Sequence, residues 1–108
     1  MIAVLACLSA ALAIGAGAFG THGVTNPKAV EWLRTGGLYQ LIHAMAALAI
    51  MGVARGAAAL MLGGAAIFAA TLYAMALGAP KWLGAITPIG GVLMIAGWLW
   101  AAWTFGQR

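Results

Sequence analysis

The feature that most constrains this chain is a stretch almost free of charge at residues 44–77. It carries one charged side chain, Arg55, and two other hydrogen-bonding side chains, Thr71 and Tyr73. At about 1.5 Å per residue, one helix of this length would extend about 50 Å, whereas the hydrocarbon core of a bilayer is about 30 Å thick. The stretch therefore predicts two membrane-spanning helices that reverse at Arg55-Gly56.

The composition excludes a soluble globular core. Of the 108 residues, 66% are hydrophobic and 6% are charged, whereas roughly a quarter of the residues in soluble domains are charged. The net charge of +4 comes from scattered side chains that form no patch able to follow phosphates, so nucleic acid is not expected as a partner. The expected partner is the lipid bilayer, with the cations anchored at its headgroups.

The pattern predicts a single integral membrane domain over residues 1–108. We expect an all-α, antiparallel bundle of four transmembrane helices at about 1–20, 36–53, 57–77 and 88–105. The first of these spans could be mistaken for a secretory signal peptide. It lacks the basic region that begins such a peptide, since the first basic side chain is Lys28, and we interpret it as an uncleaved span.

Residues 21–35 form the longest polar stretch. Asn26-Pro27 predicts a helix start, because Asn can cap and Pro lacks the amide hydrogen that would be unpaired there. Lys28, Glu31 and Arg34 then recur every three residues. This spacing predicts a short interfacial helix between the first and second spans, with a solvated loop as the alternative. The basic side chains favour, by three against two, a cytoplasmic position for this stretch.

Small residues recur at helical spacing on three spans. They form Ala13-Gly17 and Ala16-Gly20 in the first span, Ala66-Ala70 in the third, and Gly90, Met94, Gly97 and Ala101 in the fourth. Small side chains allow helices to approach closely in lipid, where packing rather than the hydrophobic effect favours association. These faces can join helices of one chain, copies in a homo-oligomer, or subunits of a larger membrane complex.

Seven polar side chains lie toward one side of the membrane if the four spans are antiparallel. They are His22, Tyr39, Gln40, His43, Thr71, Tyr73 and Thr87. The opposite half offers Cys7, Ser9, Arg55 and tryptophans, and Trp98 is expected to pack inside the bundle or against lipid. Unpaired polar groups are costly in lipid, so the one-sided cluster predicts either a hydrogen-bond network between helices or a ligand-binding site.

His43 has two interpretations. In the first, its imidazole bridges to Tyr73, Thr87 or a backbone carbonyl of a neighbouring helix. In the second, it serves a ligand, a proton or a metal, because ionisable groups inside membranes are functional candidates. No cofactor is expected. His22 stands at a helix end, where a rigid haem ligand is not expected, and two histidines with one distant cysteine do not complete a metal site.

Two enzyme or transport classes are also disfavoured. A proton-coupled exporter needs an ionisable group at mid-membrane, yet the only carboxylate side chain, Glu31, lies in the polar stretch. A hydrolase needs a nucleophile beside a histidine, and the predicted spans put Cys7 and Ser9 near the opposite face from both histidines.

Five motifs, in order along the chain, resemble those of the small membrane proteins grouped as domain of unknown function 423. They are Gly15-Ala16-Gly17-Ala18-Phe19-Gly20-Thr21-His22-Gly23, Tyr39-Gln40-Leu41-Ile42-His43, Phe68-Ala69-Ala70-Thr71-Leu72-Tyr73, Thr87-Pro88-Ile89-Gly90-Gly91 and Gly97-Trp98. The resemblance implies a four-helix protein of the bacterial inner membrane, with distant relatives among mitochondrial membrane proteins. It implies no particular activity. Ala69-Ala70 stands where relatives tend to have Ser-Gly, and Thr21 where Ala is usual.

These observations favour a small structural or accessory membrane protein that acts without catalysis. One alternative is a binder or carrier of a small amphiphile, such as a quinone or lipid, at a polar end around His22 and His43. The other is a subunit that supplies a proton-relay histidine to a larger membrane enzyme.

Overall fold

The protein is entirely helical, and the computed structural model describes all 108 residues. Four long helices follow one another along the chain: α1 (Ile2–His22), α2 (Pro27–Ile50), α3 (Arg55–Ala76) and α4 (Thr87–Gly106). A short 3₁₀ helix, Lys81–Ala85, precedes α4. The predicted all-α class is confirmed.

Local sequence signals account for several helix ends. The Asn26 side-chain oxygen accepts hydrogen bonds from the backbone amides of Lys28 (2.9 Å) and Ala29 (3.3 Å), and Pro27 occupies the first position of α2. This is the cap that the Asn-Pro pair predicts. Beyond α3, Gly78 has a φ of +105°, a conformation that glycine adopts without the steric cost a side chain would add.

The predicted short interfacial helix is wrong, because residues 27–50 form one continuous helix of 24 residues. The prediction placed a boundary at Gly36 and Gly37. Both glycines are instead packing positions. A Cβ atom at Gly36 would lie 2.8 Å from the Tyr73 ring, and one at Gly37 would lie 3.1 Å from the Ala13 carbonyl oxygen. The close approach of neighbouring helices requires these glycines, so they do not mark a break in α2.

Consecutive helices run antiparallel. Gly20 of α1 packs against Leu33 of α2, and Gly64 of α3 packs against Gly90 of α4. The helices α2 and α3 form the middle of the bundle, while α1 packs chiefly on α2 and α4 chiefly on α3. The molecule measures 48 × 25 × 19 Å, so the four helices lie side by side along the longest dimension.

The buried core consists mainly of small side chains. Met61 is the only large side chain that is fully buried, and alanines account for most of the remaining core. The predicted stripe on α4 is confirmed, since the buried residues of that helix are Gly90, Met94, Gly97 and Ala101. On α3 the buried small residues are Gly64, Ala65 and Ala69, whereas Ala66 and Ala70 are exposed. The Ala66-Ala70 face therefore does not join helices within the chain, and a role between copies or subunits stays a prediction.

Three helical segments are long and apolar enough to cross a membrane: α1, α3 and the segment Lys81–Gly106, which includes α4. The helix α2 is the exception. It carries the charged residues of its first turns and buries Gln40 and His43 between its neighbours. Large apolar side chains such as Leu8, Leu12, Val92 and Leu99 are exposed on the outside of the bundle. Such an apolar outer surface is suited to contact with lipid.

Candidate functional site

A hydrogen-bonded chain of three side chains crosses the bundle. The Tyr73 hydroxyl of α3 donates to Gln40 Oε1 of α2 at 2.6 Å, and Gln40 Nε2 donates to Ser9 Oγ of α1 at 3.0 Å. Gln40 is buried, with 4% of its surface exposed. Both ends of its amide group are therefore paired, and the orientation of the amide follows from its two partners.

The hydrogen bond between Ser9 and Gln40 was not predicted from the sequence. Predicted spans beginning at residues 1 and 36 put Gln40 near one membrane face and Ser9 near the other. Because α2 begins at Pro27 instead, Gln40 lies 13 residues into the helix, about 20 Å from its start. That depth brings Gln40 level with Ser9 in the antiparallel α1.

Two threonines join α3 to the start of α4. The Oγ1 atoms of Thr71 and Thr87 lie 2.6 Å apart, so one hydroxyl donates to the other. Thr71 Oγ1 also lies 3.0 Å from the Phe68 carbonyl oxygen, and Thr87 Oγ1 lies 3.3 Å from that of Leu83. The pair thus fixes the beginning of α4 against the last turns of α3.

His43 faces the interior, with 5% of its surface exposed. Its Nδ1 lies 2.7 Å from the Tyr39 carbonyl oxygen, one turn earlier in α2, and its Nε2 lies 3.0 Å from Trp98 Nε1 of α4. A carbonyl only accepts and an indole N–H only donates. The imidazole is therefore neutral in this arrangement, with its proton on Nδ1 and its acceptor lone pair on Nε2.

The sequence predicted Tyr73 or Thr87 as a partner of His43, but the structure shows neither contact. The Tyr73 hydroxyl donates to Gln40. Thr87 is the first residue of α4, whereas Trp98 lies 11 residues further along that helix. Trp98 also packs edge-on against the imidazole, with ring centroids 5.9 Å apart and planes at 70°. His43 thus faces the interior and contacts α4 as predicted, but at Trp98 and not near Tyr73 or Thr87.

The two histidines do not meet. His22 is exposed in the last turn of α1. Because Gly20 packs against Leu33, His22 lies level with about residue 31 of α2. At 1.5 Å per residue, His43 is then about 18 Å further along the bundle. The fold therefore does not bring the two histidines into one site.

Around His43, a groove of about 380 Å³ opens between α2 and α4. Its lining consists of Tyr39, His43, Phe68, Gly91, Met94, Ile95 and Trp98. Aromatic rings form much of this surface: the Tyr39 and Phe68 centroids are 5.0 Å apart, and those of Tyr39 and His43 are 6.3 Å apart. The groove can accept a flat or elongated apolar group beside the imidazole.

Sequence reasoning missed Ser9 and the hydrogen-bonding role of Trp98. For Ser9, the available signal was the cap at Asn26. A helix that continues unbroken from that cap places Gln40 about 13 Å deeper than a helix that starts at residue 36. For Trp98, the signal was its helical spacing from the predicted stripe on α4. It lies four residues after Met94 and three before Ala101, so its ring adjoins the buried face of the helix.

Fold and site together define a small, all-helical membrane protein whose buried polar side chains pair with one another between helices. Residues 16–91 match the family described as protein of unknown function (DUF423), and the chain belongs to this family. The resemblance seen in the five sequence motifs is thereby confirmed.

Relatives occur in bacteria and in a yeast. The chain is 39% identical to a UPF0382 membrane protein of Staphylococcus saprophyticus, over 89% of this chain and 88% of that protein. It is 36% identical to a UPF0382 membrane protein of Haemophilus influenzae, over 88% and 85% of the two chains. With a UPF0382 membrane protein of Schizosaccharomyces pombe the identity is 33%, over 87% and 92%. No solved structure matches this chain.

Proposed function

We propose that the protein is a four-span structural or accessory protein of the bacterial inner membrane that acts without catalysis. The observation that carries this proposal is the pairing of the polar side chains. Every buried side-chain nitrogen and oxygen has a hydrogen-bond partner within the chain. Both partners of Gln40, and the Trp98 partner of His43, lie on other helices, where these hydrogen bonds hold the bundle together.

Chain direction supports four spans rather than three. The helices α1 and α3 run in the same direction, because each is antiparallel to α2. If both cross the membrane, the chain must return across it between them, and α2 is the only segment available. Its polar residues do not oppose this crossing, since Gln40 and His43 are paired inside the bundle.

The inner membrane and the orientation are inferred from charge. Lys28, Arg34 and Lys81 lie at one end of the bundle, and Arg55 and Arg108 lie at the other. The larger number of Lys and Arg side chains at the first end, three against two, favours that end for the cytoplasmic side. Bacterial relatives named as membrane proteins agree with this location.

The structural role is tested with two matched tyrosine variants. Tyr73→Phe removes the hydroxyl that donates to Gln40, whereas Tyr39→Phe removes a hydroxyl that takes no part in the network. Hydrogen bonds between membrane helices contribute about 0.6 kcal/mol on average and up to about 1.7 kcal/mol. We expect Tyr73→Phe to lower the free energy of unfolding in detergent by that amount and Tyr39→Phe to leave it nearly unchanged. Equal stability of both variants would contradict the structural role of the network.

The accessory role is tested on the protein purified from its own membrane in a mild detergent. Native mass spectrometry should show a defined complex with a second membrane protein at a fixed ratio, and that ratio should persist after reconstitution from separate components. A protein that is recovered alone, with a quinone bound at one to one, would replace this proposal with the carrier function.

The groove beside His43 supports one second candidate, the binding of a small amphiphile such as a quinone. Gly91 lines the groove, and a Cβ atom there would have no neighbour within 4 Å. Gly91→Leu should therefore fill the groove without disturbing the helices. Gly63 has the same free space but lines a different groove, between α1 and α3, so Gly63→Leu is the control.

The readout for this candidate is thermal stabilisation by a soluble quinone analogue. A ligand at 100 times its dissociation constant stabilises a folded protein by about 2.7 kcal/mol. Gly91→Leu and His43→Leu should abolish the stabilisation, and Gly63→Leu should preserve it. Absence of stabilisation in the unmodified protein would eliminate the quinone.

A further inference from the structure

Another cavity lies at the opposite end of the bundle from Arg55. It has a volume of about 550 Å³ and is formed by the end of α1, the start of α2, the end of α3 and the segment before the 3₁₀ helix. This volume lies within the roughly 300–1,000 Å³ typical of small-molecule sites. The cavity is separate from the groove beside His43 and shares none of its lining residues.

Two lysines from different elements contribute to this cavity. Lys28 belongs to the first turn of α2, and Lys81 begins the 3₁₀ helix. The only acidic side chain of the protein, Glu31, lies 3.9 Å from Lys28 in an exposed pair. Lys81 therefore has no carboxylate side chain to pair with, and the cavity keeps a net positive charge.

The start of α2 adds to this positive charge. A helix N-terminus carries a partial positive charge, and α2 is 24 residues long. Asn26, which caps this end, also lines the cavity. An anion in the cavity would thus meet two ammonium groups and the positive end of a long helix, with one partly neutralising carboxylate nearby.

The remaining lining is apolar or suited to the membrane interface. Phe19, Met75 and Leu77 supply apolar side chains, and Trp32 supplies an indole ring. Lys28 Nζ lies 5.8 Å from the centre of the Trp32 ring. Tryptophan and lysine together are characteristic of the headgroup level of a bilayer. A ligand that fits both halves of the cavity has a negative head and an apolar body.

We propose that this cavity binds one anionic glycerophospholipid, with the lipid phosphate between Lys28 and Lys81 and the glycerol and upper acyl carbons against Phe19 and Leu77. Basic pockets between membrane helices recognise anionic lipid headgroups in this way. The site does not depend on the function proposed above, because it uses none of the residues of the polar network.

The test is a lipid titration of the purified protein followed by native mass spectrometry. Phosphatidylglycerol should bind at one to one, and phosphatidylcholine, whose headgroup has no net charge, should bind much more weakly. A lysine near an anionic surface contributes about a fivefold gain in affinity. The double variant Lys28→Gln/Lys81→Gln should therefore bind phosphatidylglycerol about 30-fold more weakly.

A charge-matched control separates a site from general attraction. Arg55→Gln/Arg108→Gln removes two positive charges at the far end of the bundle. That end is further from the cavity than the Debye length, which is about 10 Å at 0.1 M salt, so these charges are screened from a ligand in the cavity. We expect this variant to bind phosphatidylglycerol as the unmodified protein does. Equal losses in the two double variants would overturn the proposal.

Two further arms complete the test. Lys81→Gln alone changes an unpaired side chain outside the long helices, so it preserves the fold if the double variant does not, and it should weaken binding about fivefold. Inorganic phosphate distinguishes the source of the anion. Displacement of phosphatidylglycerol by an equal concentration of inorganic phosphate would overturn the lipid as the occupant.

Discussion

The contact between α3 and α4 allows a sharp prediction about stability. Gly64 of α3 faces the backbone of α4: a Cβ atom there would lie 2.8 Å from the Gly90 carbonyl oxygen and 2.8 Å from the Met94 amide nitrogen. Ordinary non-bonded contacts are about 3.5–4.0 Å. Gly64→Ala must therefore push the two helices apart by about 1 Å, because backbone atoms cannot rotate away as a side chain would.

The neighbouring glycine supplies the control. A Cβ atom at Gly63 would have no neighbour within 4 Å. Replacing a helical glycine by alanine favours the helix by about 0.5–1 kcal/mol, and this gain is the same for Gly63→Ala and Gly64→Ala. The difference between the two variants therefore isolates the cost of overpacking, which is typically about 1–3 kcal/mol.

The assay is reversible unfolding in mixed detergent micelles, followed by circular dichroism. Gly64→Ala should be less stable than Gly63→Ala by about 1–3 kcal/mol. The pair Gly90→Ala and Gly91→Ala repeats the comparison on α4, since a Cβ atom at Gly90 would lie 2.5 Å from the Phe68 amide nitrogen and one at Gly91 would have free space. Indistinguishable stabilities within both pairs would refute the close approach of α3 and α4.

Two other expectations concern topology and cofactors. On a Cys7→Ser background, Lys28→Cys and Arg55→Cys should be labelled by a membrane-impermeant thiol reagent from opposite sides, because α2 separates them; labelling from one side only would contradict four spans. The purified protein should show no Soret absorption and no stoichiometric metal, because no three potential metal ligands lie together. A haem band that disappears in His43→Leu would reverse that expectation.

The sequence predicted the helix ends more reliably than the contacts between helices. The cap at Asn26, the end of α3 before Gly78 and the start of α4 beside Pro88 depend on local backbone chemistry, which short motifs encode. The continuity of α2 through Gly36 and Gly37 is not encoded in a short motif. A glycine inside a predicted helix can mark a break, a close contact or neither, and only the position of the neighbouring helix shows which applies.

The same reasoning applies to the candidate site. The burial of His43 could be predicted, because an unpaired imidazole is costly in lipid. Its partner could not, because the depth of each residue depends on where every span begins. The predicted interruption before residue 36 placed Gln40 about 13 Å less deep than the continuous helix from Pro27 does, enough to hide its contact with Ser9. The buried stripe on α4 was predictable, since it depends on spacing within one helix.

The position of α2 between its neighbours has a consequence for how the protein is made. Gln40 depends on Ser9 of α1 and Tyr73 of α3, and His43 depends on Trp98 of α4. During synthesis α2 is made before α3 and α4. Until those two helices are present, Gln40 and His43 lack partners from them and need contact with water or with the insertion machinery. If α2 crosses the membrane as proposed above, its integration should be completed only after α4 has been synthesised. A chain that ends at Met51 should leave α2 accessible to protease from the side of its synthesis, whereas the full chain should protect it.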